Sequence, residues 1–332
     1  MSYSVIVCDD SRFARQQLIR GLPAGLAHEV LSASNGEEAL QFLRAGKGEL
    51  LFLDLNMPGL DGYQVLEAIR REALNILVIV VSGDIQAQAH QRILELGALA
   101  FVHKPLNNDQ LFSLLERFGL MPSSNEVPTS CPIPSANELT PVSYQESLQE
   151  IVNIAMGQAA RQLADLLNLF IHLPIPKVQL CTSHRLHHQV EEWLEMPGNM
   201  VVSQGFVGSS IAGECLIHFA EQDISRIAPL LGFNEQDELD RKSLLIELSS
   251  MLAGTLLLGL SDLLGLRFSR SHPALISLGS DSILAQQEQA QKILSVSLTY
   301  TIPAQQISCT LLLLLTDTSL SALERRLSLI AE

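Results

Sequence analysis

The feature that most constrains the fold is a rhythm in residues 1–118, where short aliphatic runs alternate with amphipathic helical patterns. Ser4–Cys8, Leu50–Leu53 and Ile76–Val81 are rich in aliphatics and bounded by turns, as strands buried on both faces are. Between them, Arg12–Arg20, Gly36–Ala45 and Gly62–Arg71 carry helical spacing. Strand–helix–strand alternation of this kind builds an α/β doubly wound, flavodoxin-like sheet whose site lies at the carboxyl ends of the strands. Functional residue types collect at those ends. Asp9 and Asp10 follow the first run, Asp54 ends the third strand, Ser82 ends the fourth, and Lys104-Pro105 follows the fifth.

A carboxylate cluster supplies the oxygen ligands that a hard divalent cation takes. A carboxylate that attacks a phosphoryl group needs that cation to neutralise charge, and a lysine and a hydroxyl to hold the equatorial oxygens. This set resembles the response-regulator receiver (CheY-like) family over about residues 3–118. The resemblance implies that Asp54 is the phosphoacceptor, that Asp9, Asp10, Asp54 and the carbonyl of Asn56 hold Mg2+, and that Ser82 and Lys104 contact the phosphoryl group. Phe101 takes the switch-aromatic position, and Met57–Gly62 matches the loop after the acceptor. A histidine kinase is the implied phosphodonor.

Residues 119–143 break the pattern: Pro122, Pro128, Pro132, Pro134 and Pro141 sit among Ser, Thr and Asn, which reads as a linker. Residues 144–332 then hold an internal repeat, 144–232 and 239–331. A shift of 97 positions overlays Glu146–Pro176 on Ser243–Pro273 with nine identities in 31 positions, among them Gly157/Gly254 and Asp165/Asp262. Each copy opens with a long helical pattern and continues into strand-like runs: Val178–Thr182, Met200–Ser203 and Ile211–Phe219, then Ala274–Leu278, Ile293–Ile302 and Ile307–Thr316. Helical patterns near Asp223–Leu231 and Ser319–Ile330 close the copies. Two copies predict a pseudo-two-fold α+β domain and not a solenoid, which needs three or more.

Glu150 and Asn153 stand three apart in the first helical pattern, so both project from one face. With Pro176, separated from Asn153 by 22 residues, they match the spacing of the CheC/CheX/FliY phosphatase family, which this region resembles from about Tyr144 to Ala331. Glu146 departs from the Asp or Ser of the family's leading position. The resemblance implies an aspartyl-phosphate phosphatase in which Asn153 orients the attacking water and Glu150 pairs with the receiver lysine, with no metal or nucleophile of its own. The second copy keeps Ser243, Glu247 and Pro273 but has Ser250 in place of Asn. Serine lacks the carboxamide, so this second site is expected to be weak or dead. The implied partners are a phosphorylated CheY-like receiver and a CheD-like deamidase. A non-catalytic receiver-binding module, or a phosphate sink for a kinase, is the alternative.

Net charge narrows the partners. The formal charge is −15, with 14 acids against 10 bases up to residue 118 and 22 against 11 beyond it, which disfavours a nucleic-acid ligand. Cys8, Cys131, Cys181, Cys215 and Cys309 form no CxxC pair, and no signal peptide is evident, so reduced thiols in a cytoplasmic protein are expected. Met251–Leu266, the most apolar stretch, is read as a buried helix too short to span a bilayer, and no membrane role is expected. His184, His187 and His188 are read as a solvated loop without an acidic or Cys partner in register, and Trp193 as a core residue.

Overall fold

The computed structural model describes residues 2–121, 143–233, 237–277 and 292–331. The chain divides into two compact units, Met1–Glu150 and Ile151–Glu332. Most of the expected linker, together with Cys131 and the strand-end residue Leu278, lies outside the described residues.

The first unit alternates strand and helix throughout: β1 (Tyr3–Cys8), α1 (Arg12–Gly21), β2 (Ala27–Ala33), α2 (Gly36–Arg44), β3 (Leu50–Leu53), α3 (Gly62–Arg71), β4 (Leu77–Ser82), α4 (Ala87–Glu95), β5 (Ala100–His103) and α5 (Asn108–Arg117). The five strands are parallel in the order β2-β1-β3-β4-β5. Both faces are covered, which is why the strands read as unbroken apolar runs. Ile6, Cys8, Leu51, Leu53, Val78 and Val80 pack on one side against Leu40, Val65, Leu66 and Ile93. Their neighbours Val5, Val7, Leu50, Phe52, Ile79 and Val81 pack on the other against Leu18, Leu111 and Leu115. Side chains that fully leave water in this way each contribute roughly 1.5–3 kcal/mol.

Helix α6 (Tyr144–Leu167) opens inside the first unit and continues into the second. Its start is set by a capping box: Ser143 Oγ accepts from Glu146 N at 3.2 Å, while the Glu146 carboxylate accepts from Ser143 N at 3.0 Å. Glu146, the departure from the family motif, is therefore occupied in starting the helix.

The second unit continues with β6 (Lys177–Thr182), α7 (Ser183–Glu195), β7 (Met200–Gly208), β8 (Ile211–Phe219), α8 (Glu221–Leu230), α9 (Glu238–Leu264), β9 (Ser269–Arg270), β10 (Ala274–Ile276), β11 (Lys292–Ile302), β12 (Ile307–Leu315) and α10 (Asp317–Ala331). Its sheet runs β10-β7-β8-β12-β11-β6, antiparallel throughout, with β9 added to β7. Exchanging the two halves of the repeat reads this order backwards. Central β8 and β12 pair across the halves with Leu216 opposite Leu312, and each edge strand, β6 and β10, crosses to the other half. The repeat thus folds as one α+β sheet that neither half could complete alone.

Both long helices end on the same device. Asn168 and Gly265, 97 residues apart, take left-handed conformations with φ 53° and 62°. In each case the next residue's amide returns to the carbonyl five back, Leu169 N to Ala164 O at 3.2 Å and Leu266 N to Ser261 O at 2.9 Å. The helices approach closely at Gly259, where a Cβ would stand 3.0 Å from Ala155 Cβ.

Three expectations need correction. His184, His187 and His188 lie on α7, not in a loop; Thr182 caps it, accepting from Arg185 N at 3.4 Å. Acidic partners are in register there, His187 with Glu191 at 3.1 Å and His188 with Glu192 at 3.2 Å, one turn apart. Met251–Leu264 is the end of a 27-residue helix, with Gly265 and Leu266 beyond it; the helix is long and apolar enough by length and composition to cross a membrane, and 61% of its most apolar window is buried within the protein. Strand β7 runs to Gly208 rather than Ser203, because Gly205, Phe206, Val207 and Gly208 continue pairing with β8. Trp193 is half-buried against a cluster that includes Leu186, Val190 and Val201.

Candidate functional site

The strand ends of the first unit gather the acids that the sequence singles out. Asp9 and Asp10 follow β1, Asp54 follows β3, and ligand oxygens of all three lie within 4.8 Å of one another. Local backbone holds the carboxylates in place: Ser11 N donates to Asp9 Oδ1 at 2.8 Å and Asn56 N to Asp54 Oδ2 at 3.0 Å. The turn after Asp54 demands glycine at 62, where a Cβ would come within 2.2 Å of the Asp54 carbonyl oxygen. Asp61 starts α3 with a capping box closed by Gln64.

Lys104, which precedes a cis Pro105, projects from the end of β5 into this cluster. Its Nζ lies 2.7 Å from Asp9 Oδ2, 3.3 Å from Asp54 Oδ1 and 2.8 Å from Glu150 Oε1, all within the first unit. The group is dry: Asp54 is 1% exposed, Glu150 4%, Asp9 6% and Lys104 7%. Burial pushes Asp9 and Asp54 above the usual carboxylate range, opposed by Lys104. Asp10, less enclosed, is pushed by burial up to about 7. Burial alone would lower Lys104, but Asp54, Asp9 and Glu150 together hold it well above its ordinary value.

The other expected residues fall around this cluster. Ser82 is fully buried at the end of β4, its Oγ accepting from Asp84 N at 3.2 Å. Phe101, on neighbouring β5, is half-buried, with the His90 ring 5.6 Å and the His103 ring 4.7 Å from its own, both edge-on. Asn56 is half-buried two residues past the acceptor position. Asn153, one turn beyond Glu150 on α6, is 6% exposed, and its Oδ1 has no hydrogen-bond partner.

The equivalent positions of the second copy differ in kind. Glu247 is exposed, and the Ser250 carbonyl accepts from Arg270 Nη1 at 3.3 Å. That guanidinium fills the space over Gly254, 2.0 Å from where a Cβ would stand, so a side chain there would make Arg270 move. Ser250, Gly254, Thr255 and Arg270 line a cavity of about 390 Å³ with no acid in its wall. Sequence reasoning missed Arg270, which nothing in its local pattern marks. Among the described residues the four cysteines are free and buried.

The donor set of Asp9, Asp10 and Asp54 is all oxygen, anionic and closely spaced, which fits a magnesium ion. Residues 5–116 match the response regulator receiver domain family. Over 131 residues the chain is 34% identical to "Probable transcriptional regulator ycf27" of Porphyridium aerugineum, covering 38% of this chain and 53% of that protein. It is 31% identical over 139 residues to "Probable C4-dicarboxylate response regulator DctR" of Bacillus subtilis, covering 42% of this chain and 56% of that one. The chain thus spans about half the length of these curated relatives. The X-ray structure of Thermotoga maritima FliY aligns with a TM-score of 0.44 at 19% identity, covering 57% of this chain and 98% of that one. The N-terminal part is a two-component response regulator receiver domain.

Proposed function

We propose that this chain accepts a phosphoryl group on Asp54 from a histidine kinase and that its C-terminal part, CheC-like in motif, hydrolyses the aspartyl phosphate of a receiver. One observation carries the reading. Glu150 of the Glu–Asn motif is ion-paired with the lysine of a receiver site at 2.8 Å, and Asn153 presents a buried, unpartnered carboxamide oxygen one turn further on.

Asp54 is the nucleophile toward phosphorus, and Asp9, Asp10, Asp54 and the Asn56 carbonyl would hold the magnesium ion. Bound magnesium would neutralise charge between the carboxylates and the transferred phosphoryl group. Ser82 and Lys104 hold equatorial oxygens, and Phe101 changes rotamer as Ser82 moves. In hydrolysis, the oxygen of a water bonded to Asn153 attacks phosphorus in line. The bond from phosphorus to the receiver's aspartyl carboxylate oxygen breaks, inorganic phosphate leaves, the aspartate returns as a carboxylate, and the water's proton passes to phosphate or solvent. An acyl phosphate is already activated, so positioning the water is the main task left to the protein.

The test is steady-state release of inorganic phosphate by the full chain, supplied with magnesium and a small acyl-phosphate donor. Asp54→Asn should release none. Asn153→Ala should label normally but release phosphate on the order of 100-fold more slowly, as loss of a preorganised group commonly does. Unchanged release by a folded Asn153→Ala chain would overturn the phosphatase reading in favour of a receiver-binding module.

A further inference from the structure

We propose that the second copy of the repeat holds a binding site for a small amphipathic carboxylate, centred on Arg270. The site lies wholly within the second unit and is independent of the phosphatase reading.

Comparison of the two copies is the first ground. At the same offset of 97 residues, Asn153 is matched by Ser250 and Leu173 by Arg270, while Gly157 and Gly254 agree. The second copy has therefore exchanged a carboxamide for a hydroxyl and gained a guanidinium. Leu173 is 5% exposed, whereas Arg270 is exposed, so the arginine fills no packing role that the repeat hands down.

The setting of Arg270 is the second ground. Strand β9 pairs with β7, Arg270 opposite Phe206. Ser271 fastens the next position: its amide donates to the Gly205 carbonyl at 2.9 Å and its hydroxyl accepts from the Gly205 amide at 2.9 Å. From this fixed backbone the side chain reaches over Gly254 to the Ser250 carbonyl, 3.3 Å from Nη1. That carbonyl carries no charge, and among the described residues no carboxylate pairs with the guanidinium. In a chain with 36 acids against 21 bases, an arginine without one is poised for an anion from outside.

The cavity names the class of ligand. Its volume of about 390 Å³ lies at the small end of ligand sites, which run from about 300 to 1,000 Å³. Met251, Leu257, Leu258 and Phe268 form an apolar wall, and Phe268 is set edge-on against Phe206 with ring centroids 5.4 Å apart. Gln162 Oε1 accepts from Thr255 Oγ1, which leaves the Gln162 amide nitrogen to donate into the cavity. One planar guanidinium matches a single carboxylate through two parallel N–H bonds. A phosphate dianion would be left half neutralised, since the wall holds no second cation. The apolar wall calls for a hydrocarbon or aromatic body beside the carboxylate.

The experiment titrates the full-length protein with 3-phenylpropionate by isothermal calorimetry, with 3-phenylpropanol and inorganic phosphate as separate arms. The acid should bind at one site per chain, and the alcohol and phosphate each roughly tenfold or more weakly. Arg270→Leu, which restores the residue of the first copy, should weaken the acid about 10- to 100-fold, the usual loss for a charge-assisted hydrogen bond, and leave the alcohol unchanged. Leu258→Glu, at an exposed position of the wall, should also weaken the acid by placing a like charge there, and it decides the matter if Arg270→Leu does not fold. Equal binding of the acid to wild type and a folded variant, binding of the alcohol or of phosphate as tight as that of the acid, or no binding of the acid at millimolar concentration would overturn the proposal.

Discussion

His218 lies half-buried in β8 with its ring stacked on Trp193, centroids 4.5 Å apart and planes 11° from parallel. Its Nε2 is 3.1 Å from the Asn199 amide nitrogen, which can donate to it only while the imidazole is neutral. Burial lowers its pKa from 6.5 to about 4. Because the folded value is depressed, the unfolded chain binds this proton more readily between those limits. The stability contributed is fully present above pH 6.5 and is lost as pH falls through about 4. Trp193 is the only tryptophan, and a protonated ring stacked on an indole quenches it. Trp193 emission should therefore step down near pH 4 in the folded protein, and His218→Gln should remove the step; a step at 6.5 would show the ring to be solvated. Individual residues were unevenly legible. The receiver acids and Lys104 stood out because hard-metal and phosphoryl chemistry allows few residue types at strand ends. The histidines of α7 misled because a polar run with exposed rings reads like a loop until Leu186, Val190 and Leu194 are counted at helical spacing.

Helix ends carry the repeat's clearest physical signature. Asn168 and Gly265 both need positive φ, and for a residue with a Cβ that region costs roughly 1–2 kcal/mol. Gly265→Ala should destabilise the protein by about 1 kcal/mol in urea unfolding followed by Trp193 emission. Asn168→Gly should cost little or nothing; equal losses from both would place the demand elsewhere. This device was readable in principle, since Asn and Gly fall 97 positions apart, but the identity count that revealed the repeat passes over them because they differ. Strands β1, β3 and β4 and helices α1, α2 and α3 were legible to within a residue at each end, since parallel strands covered on both faces leave aliphatic runs. Strand exchange between halves was not legible at all. Periodicity says which residues face the core, not that β6 pairs with β11 and β10 with β7.

At the scale of the whole chain, helix α6 begins in the first unit and ends in the second. Helix α6 starts at a capping box, carries Glu150 to Lys104, and runs on through Asn153 into the second unit. The motif spacing was plain in the sequence; the lysine that receives Glu150 was not, because it lies 46 residues upstream across a segment without periodicity. In the proposed function, Asn153 aligns the water that attacks the aspartyl phosphate. Steady-state release also depends on how fast Asp54 is phosphorylated, so a single-turnover measurement is more direct. Full-length wild-type and Asn153→Ala chains are labelled on Asp54, freed of donor, supplied with magnesium and acid-quenched over time to follow the remaining acyl phosphate. The expected result is a lifetime on the order of 100-fold longer in the Asn153→Ala chain with equal initial labelling. Equal lifetimes in two equally labelled, folded chains would contradict the claim.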